Sequence, residues 1–145
     1  MFGLCFAPFL ILGFSHAVQT SWHTSESINA PYAEVQTCRD GLGAHLAAST
    51  HPWVAGGVHY GFTWHLNEEW ALTIQPKAGL SYSNTIDPAS NYRQITRFEL
   101  GVQTNLCRND WCGVAGYRHM SNGRGSVETN AGIDLIEFGI GKRFK

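Results

Sequence analysis

The chain has 145 residues, enough for one domain, and its formal net charge of −1 gives no reason to expect nucleic acid as a partner. Charged residues make up 14% of it, against roughly 25% in ordinary soluble domains, while aromatic residues make up 12% and glycines number 16. This composition is typical of closed β-barrels, in membranes and in solution, so it does not choose between the two.

The first 17 residues form an almost uncharged apolar stretch that ends in Ser15-His16-Ala17, a small-x-small cleavage signal. The stretch is shorter than the roughly 20 residues that a transmembrane helix needs. It predicts a secretory signal peptide over residues 1–17 and a single β-barrel domain over residues 18–145, although its start carries no Lys or Arg. No later segment resembles a transmembrane helix, so insertion into a membrane would have to be as a barrel.

Alternation of apolar and polar residues is the main signal along the rest of the chain. Even-numbered positions from Val54 to Trp64 and from Trp70 to Tyr82 are mostly apolar, whereas odd-numbered positions are mostly small or polar. The pattern and the turn signals predict an all-β protein with strands at about 18–24, 32–38, 43–49, 53–65, 69–83, 92–106, 112–121 and 131–144.

Two features favour an eight-stranded antiparallel barrel in the outer membrane. Full charges stand in mid-strand on the polar face (Lys77, Arg97 and Glu99), and aromatic residues cluster near strand ends, as in interfacial girdles. Short connections near 39–42, 66–68 and 107–112 would be periplasmic, and longer ones near 25–31, 84–91 and 122–130 would be external; the short one at 50–52 is an exception. A soluble periplasmic lipid-binding barrel, with its apolar face inward, is an alternative.

The cysteines suit an exported protein. Cys107 and Cys112 bracket four residues that a disulfide could close into a hairpin in an oxidising compartment. Cys5 would leave with the signal peptide, so Cys38 would be left free. Metal binding is the rival interpretation, but no second Cys or His pair stands at zinc-site spacing, so no metal is expected.

Three chemistry-bearing residues are predicted to project from the apolar wall. His119 and Ser121 are two residues apart on one strand, so they share a face, while Arg118 points the other way. In the last strand Asp134 follows the apolar register, whereas Glu137 falls on the inner face, where Arg143 is its predicted ion-pair partner.

These three residues fit the needs of nucleophilic catalysis. A serine hydroxyl is a weak nucleophile unless a base takes its proton, and the base works better when a carboxylate fixes its tautomer. A carboxylate on a lipid-facing wall costs a few kcal/mol at depth and calls for a partner. Taken singly, a His near a barrel rim, a Ser-Asn-Gly turn and an Asp at a strand start are commonplace, so only their joint placement predicts a hydrolase. A non-enzymatic outer-membrane barrel, for adhesion or membrane stability, is the other alternative.

The segment His119-Met120-Ser121-Asn122-Gly123, followed by Asn130-Ala131-Gly132-Ile133-Asp134, resembles the motifs of the PagL-type lipid A 3-O-deacylases. The resemblance covers about residues 112–145. It implies an eight-stranded outer-membrane barrel that hydrolyses the ester-linked acyl chain at position 3 of lipid A in lipopolysaccharide, among outer-membrane lipids and without a cofactor.

By position, the resemblance implies His119 as the base, Ser121 as the nucleophile and Asp134 as the acid, where the family typically has Glu. It also implies that Asn130, with a nearby backbone N–H, contributes to the oxyanion hole, and that Asn122 and Gly123 support it. The sequence leaves open the preferred acyl length and whether the barrel forms a homodimer.

Overall fold

The computed structural model describes residues 8–20, 27–50, 53–83, 96–121 and 132–144. These residues form one antiparallel sheet whose strands are β1 (Phe9–Thr20), β2 (Ser27–Arg39), β3 (Leu42–Ser49), β4 (Trp53–Tyr60), β5 (Phe62–His65), β6 (Trp70–Ser83), β7 (Thr96–Arg108), β8 (Trp111–Ser121) and β9 (Gly132–Arg143). The strand order is β4-β3-β2-β1-β9-β8-β7-β6-β5, and β4 also pairs with β6, so the sheet closes into a barrel.

Strands β4 and β5 occupy one position in the barrel. His59 in β4 is paired with Lys77, and Phe62 in β5 is paired with Ile74, so the register on β6 runs unchanged through the break between them. Pro76 lies opposite this break, and proline has no N–H to give to a strand ladder. The predicted eight-stranded antiparallel barrel is therefore confirmed, with one strand interrupted.

The predicted bounds of the N-terminal strand are wrong. The structure places Phe9–Thr20, not residues 18–24, in the strand between β2 and β9. Residues 9–17 thus pair within the sheet in this structure, while cleavage of a signal peptide over residues 1–17 stays a prediction. They looked like a leader because β1 is apolar on both faces: Phe9 and Ile11 are buried inside the barrel, whereas Leu12 and Phe14 are exposed outside it.

The predicted sidedness of the central strands is confirmed. Large apolar side chains cover the outside, and the inside holds many polar and charged side chains beside apolar ones, so the soluble carrier with its apolar face turned inward is wrong. The outward apolar residues of β6 and β7, for example, are Leu80, Tyr82, Phe98, Leu100, Val102 and Leu106, each at least 42% exposed. The side chain of Arg97 lies outside the described part of the chain.

A charged cluster fills the middle of the barrel around Arg118. Its Nη2 lies 2.5 Å from Glu34 Oε2, its Nη1 lies 3.1 Å from Glu99 Oε1, and its Nε lies 3.0 Å from Glu137 Oε1. The predicted ion pair between Glu137 and Arg143 is wrong, because six residues along one strand separate them by roughly 20 Å. Other buried members of the cluster are Lys77, which bonds to Glu34 and Gln103, and His45, which contacts Glu99.

The disulfide between Cys107 and Cys112 is confirmed. The two residues face each other across the β7–β8 hairpin, whose turn holds Asn109 at a positive φ of 55°. The prediction that Cys38 is free is wrong, because Cys38 is also disulfide-bonded. Cys5 lies outside the described residues.

Within the described ranges, the structure contains no helix long and apolar enough to cross a membrane.

Candidate functional site on the outer wall

The candidate site lies where β8 and β9 approach the segment that joins them. His119 and Asp134 are directly paired across the two strands, and Ser121 is the last residue of β8. Directly opposed residues on one face have Cβ atoms about 5 Å apart, close enough for two short side chains to meet. The side chains of His119 and Asp134 are 36% and 26% exposed on the outer wall, as the alternation predicts.

The imidazole of His119 is held by Asp134. Nδ1 of His119 lies 2.7 Å from Oδ1 of Asp134. An ionised carboxylate only accepts hydrogen bonds, so Nδ1 carries the proton, and Nε2 is the ring nitrogen left to take a proton from a nucleophile. The structure therefore brings together the predicted base and acid, although Asp is one methylene shorter than the Glu of the resembled family.

Ser121 lies beside this pair without being bonded to it. It is half-buried and follows His119 by two residues on the same face of β8. Among the described residues, no hydrogen bond joins its hydroxyl to His119. Such bonds are often long before a substrate is bound and tighten in the complex.

Tyr117 is a member of the site that the sequence reasoning missed. Its hydroxyl donates a hydrogen bond of 2.6 Å to Asp134 Oδ1, the same oxygen that His119 contacts. Tyr117 is paired with Ile136, so Asp134 is its diagonal neighbour, within reach of an aromatic side chain. The signal was its place two residues before His119, but it was assigned only to the apolar face.

Apolar side chains surround these polar groups. Leu100 is paired with His119 and Phe98 is paired with Ser121, and both are about 60% exposed on the same outer wall. On the opposite face of β8, Arg118 is almost fully buried in the charged cluster of the lumen. The site is thus a small group of polar side chains at one end of an apolar surface.

The residues predicted to form the oxyanion hole, Asn122, Gly123 and Asn130, lie outside the described residues. The described ranges contain no group of three or more His, Cys, Asp or Glu side chains arranged to hold a metal ion.

Comparisons with known proteins give a fold but no family. No protein-family profile and no curated protein matches the chain, so the resemblance to the lipid A deacylases has no further sequence support. Among solved structures, Neisserial surface protein A (NspA) matches with a TM-score of 0.64 and 16% identity over 94% of this chain and 97% of that one. Ail, the attachment invasion locus protein of Yersinia pestis, matches with a TM-score of 0.52 and 12% identity over 96% of this chain and 99% of that one. The chain therefore has the fold of the small eight-stranded outer-membrane barrels.

Proposed function

We propose that this protein is a serine esterase of the outer membrane that removes the 3-O-linked acyl chain from lipid A. The observation that supports it is the 2.7 Å contact between His119 and Asp134 on the lipid-facing wall, with Ser121 two residues along the same strand. A His–carboxylate pair among exposed apolar side chains has no role in packing a core, whereas it is what a serine nucleophile requires.

The reaction would proceed through an acyl-enzyme. Ser121 Oγ attacks the ester carbonyl while His119 Nε2 takes the hydroxyl proton, and Asp134 stabilises the resulting imidazolium. Collapse of the tetrahedral intermediate breaks the bond to the sugar oxygen, which receives the proton from His119. Water, activated by the same imidazole, then releases the fatty acid and restores Ser121.

The oxyanion would be held by donors assigned through the resemblance, Asn130 and a backbone N–H of the same loop. One such donor is typically worth about 3–4 kcal/mol. The fatty chain needs no deep pocket, because the bilayer solvates it and exposed residues such as Leu100 and Phe98 line the wall beside the site.

Mass spectrometry of lipid A from cells that express the chain tests the proposal. We expect wild-type protein to yield lipid A that lacks one 3-O-acyl group, and Ser121→Ala to leave lipid A intact. Thr104→Ala, which removes a hydroxyl at an even-numbered, outward position of the neighbouring strand β7, is the matched control and should behave as wild type. Intact lipid A with folded wild-type protein in the outer membrane would rule out the esterase.

A second candidate is a non-enzymatic barrel that serves in attachment or membrane stability. The likeness to NspA and to Ail, whose name describes attachment and invasion, favours this candidate more than it favours the esterase. It predicts unchanged lipid A and a Ser121 that tolerates substitution, so the same experiment separates the two candidates. Both place the chain in the outer membrane, where we expect it to fractionate and to show heat-modifiable gel migration.

A further inference from the structure

We propose that Tyr117 is a positioning residue of the esterase, which holds the Asp134 carboxylate in the orientation that His119 needs. This inference rests on the proposed function and extends it to a residue that the motif does not contain. Its basis is one oxygen atom, Asp134 Oδ1, which accepts hydrogen bonds from Tyr117 at 2.6 Å and from His119 at 2.7 Å.

The arrangement restricts the carboxylate from two directions. Both donors project from the same face of β8, two residues apart, while the acceptor projects from β9 directly opposite His119. A single hydrogen bond leaves a carboxylate free to rotate about its bond to Cβ. A second donor to the same oxygen, approaching from the diagonal position, selects the rotamer in which that oxygen faces the imidazole.

The membrane setting explains why a tyrosine suits this task. Asp134 lies on an apolar wall, where donors from water are scarce and an unpartnered carboxylate is costly. Tyr117 is 45% exposed, so its ring continues the apolar surface of the strand, and its hydroxyl supplies the donor. A shorter hydroxyl side chain at this position would not span the diagonal to Asp134.

The alternative is that the hydrogen bond between Tyr117 and Asp134 only stabilises the pairing of β8 with β9. This purely structural role predicts that loss of the Tyr117 hydroxyl lowers stability and leaves turnover by the folded protein unchanged. A positioning role predicts a lower kcat with little change in KM, and it predicts that the effect depends on the Asp134 carboxylate.

The test is Tyr117→Phe in detergent-refolded full chain, assayed for release of the acyl chain from lipid A. Tyr82→Phe is the matched control, because Tyr82 is an outward residue of β6 with a similar exposure of 48%. We expect Tyr117→Phe to lower kcat about tenfold, the effect of one hydrogen bond to a charged group, and Tyr82→Phe to leave it unchanged. In the Asp134→Asn background, Tyr117→Phe should cause no further loss.

A second measurement does not depend on turnover. The NMR signal of the His119 Nδ1 proton should move in Tyr117→Phe and stay in place in Tyr82→Phe. Wild-type kcat in Tyr117→Phe, or an unmoved His119 signal, would overturn the role of Tyr117 while the esterase stands. An inactive wild-type protein would overturn the esterase, and the role of Tyr117 with it.

Discussion

Glu137 Oε1 lies 3.0 Å from Arg118 Nε in the lumen, on the other side of the same two strands that hold His119 against Asp134. The two polar pairs thus lie on opposite faces of these strands. Arg118 and His119 are neighbours on β8, and Asp134 and Glu137 are three residues apart on β9. The inner pair belongs to a buried charged cluster and the outer pair to the apolar wall. Substituting Glu137 should therefore lower the stability of the barrel, whereas substituting Asp134 should lower its activity.

Glu137→Gln should lower stability while the folded protein keeps its activity. The substitution removes one of three carboxylates from the almost fully buried Arg118. We expect a loss of roughly 3 kcal/mol, the lower end for breaking a buried pair, because Glu34 and Glu99 remain. Urea titration followed by gel migration measures it. Glu69→Gln, which breaks the exposed pair with Arg108, is the control and should cost under about 1 kcal/mol.

Asp134→Asn should have the opposite profile, with a folded barrel and turnover reduced by about 10⁴-fold. An amide at this position can hold the imidazole with the wrong ring nitrogen protonated, so His119 no longer accepts the proton of Ser121. Acyl release per folded molecule is the measurement. If Glu137→Gln abolishes activity and Asp134→Asn does not, the assignment of the acid to the outer face is wrong.

The period of two in the sequence predicts which face each residue takes, and this accounts for most of the successful predictions. It placed His119 and Asp134 outside and Arg118 and Glu137 inside, because a strand sends successive side chains to opposite faces. It did not give contacts across the lumen, since Glu34 reaches Arg118 from 84 residues away along the chain. Such partners depend on barrel closure, which no local pattern encodes.

Strand β1 and Tyr117 were missed for a related reason. Where a strand is apolar on both faces, as from Phe9 to Phe14, alternation vanishes and the run looks like a secretion signal. Tyr117 was assigned to the apolar wall because its ring fits there, whereas its hydroxyl acts along the diagonal to Asp134. Hydropathy assigns one value to a side chain whose two ends have different partners.

Removal of the disulfide by the double substitution Cys107→Ser and Cys112→Ser should destabilise the barrel modestly. The bond closes a loop of only six residues, so the chain-entropy model gives about 2 kcal/mol. The measurement is the shift in the urea midpoint against wild type under oxidising conditions. In the presence of a reductant the two proteins should differ much less, and an equal difference under both conditions would assign the effect to packing instead.

The protein isolated from outer membranes should retain residues 9–17. Strand β1 pairs with β2 and with β9 over most of its length, and a cut after Ala17 would leave Val18–Thr20 alone between them. Seven strand positions would remain, whereas bacterial single-chain barrels have an even number. Intact-mass analysis and N-terminal sequencing of the membrane-extracted protein make the measurement, with non-reducing peptide maps to locate the Cys38 bond. An N-terminus at Val18 in a folded, heat-modifiable barrel would show that β1 does not close the sheet.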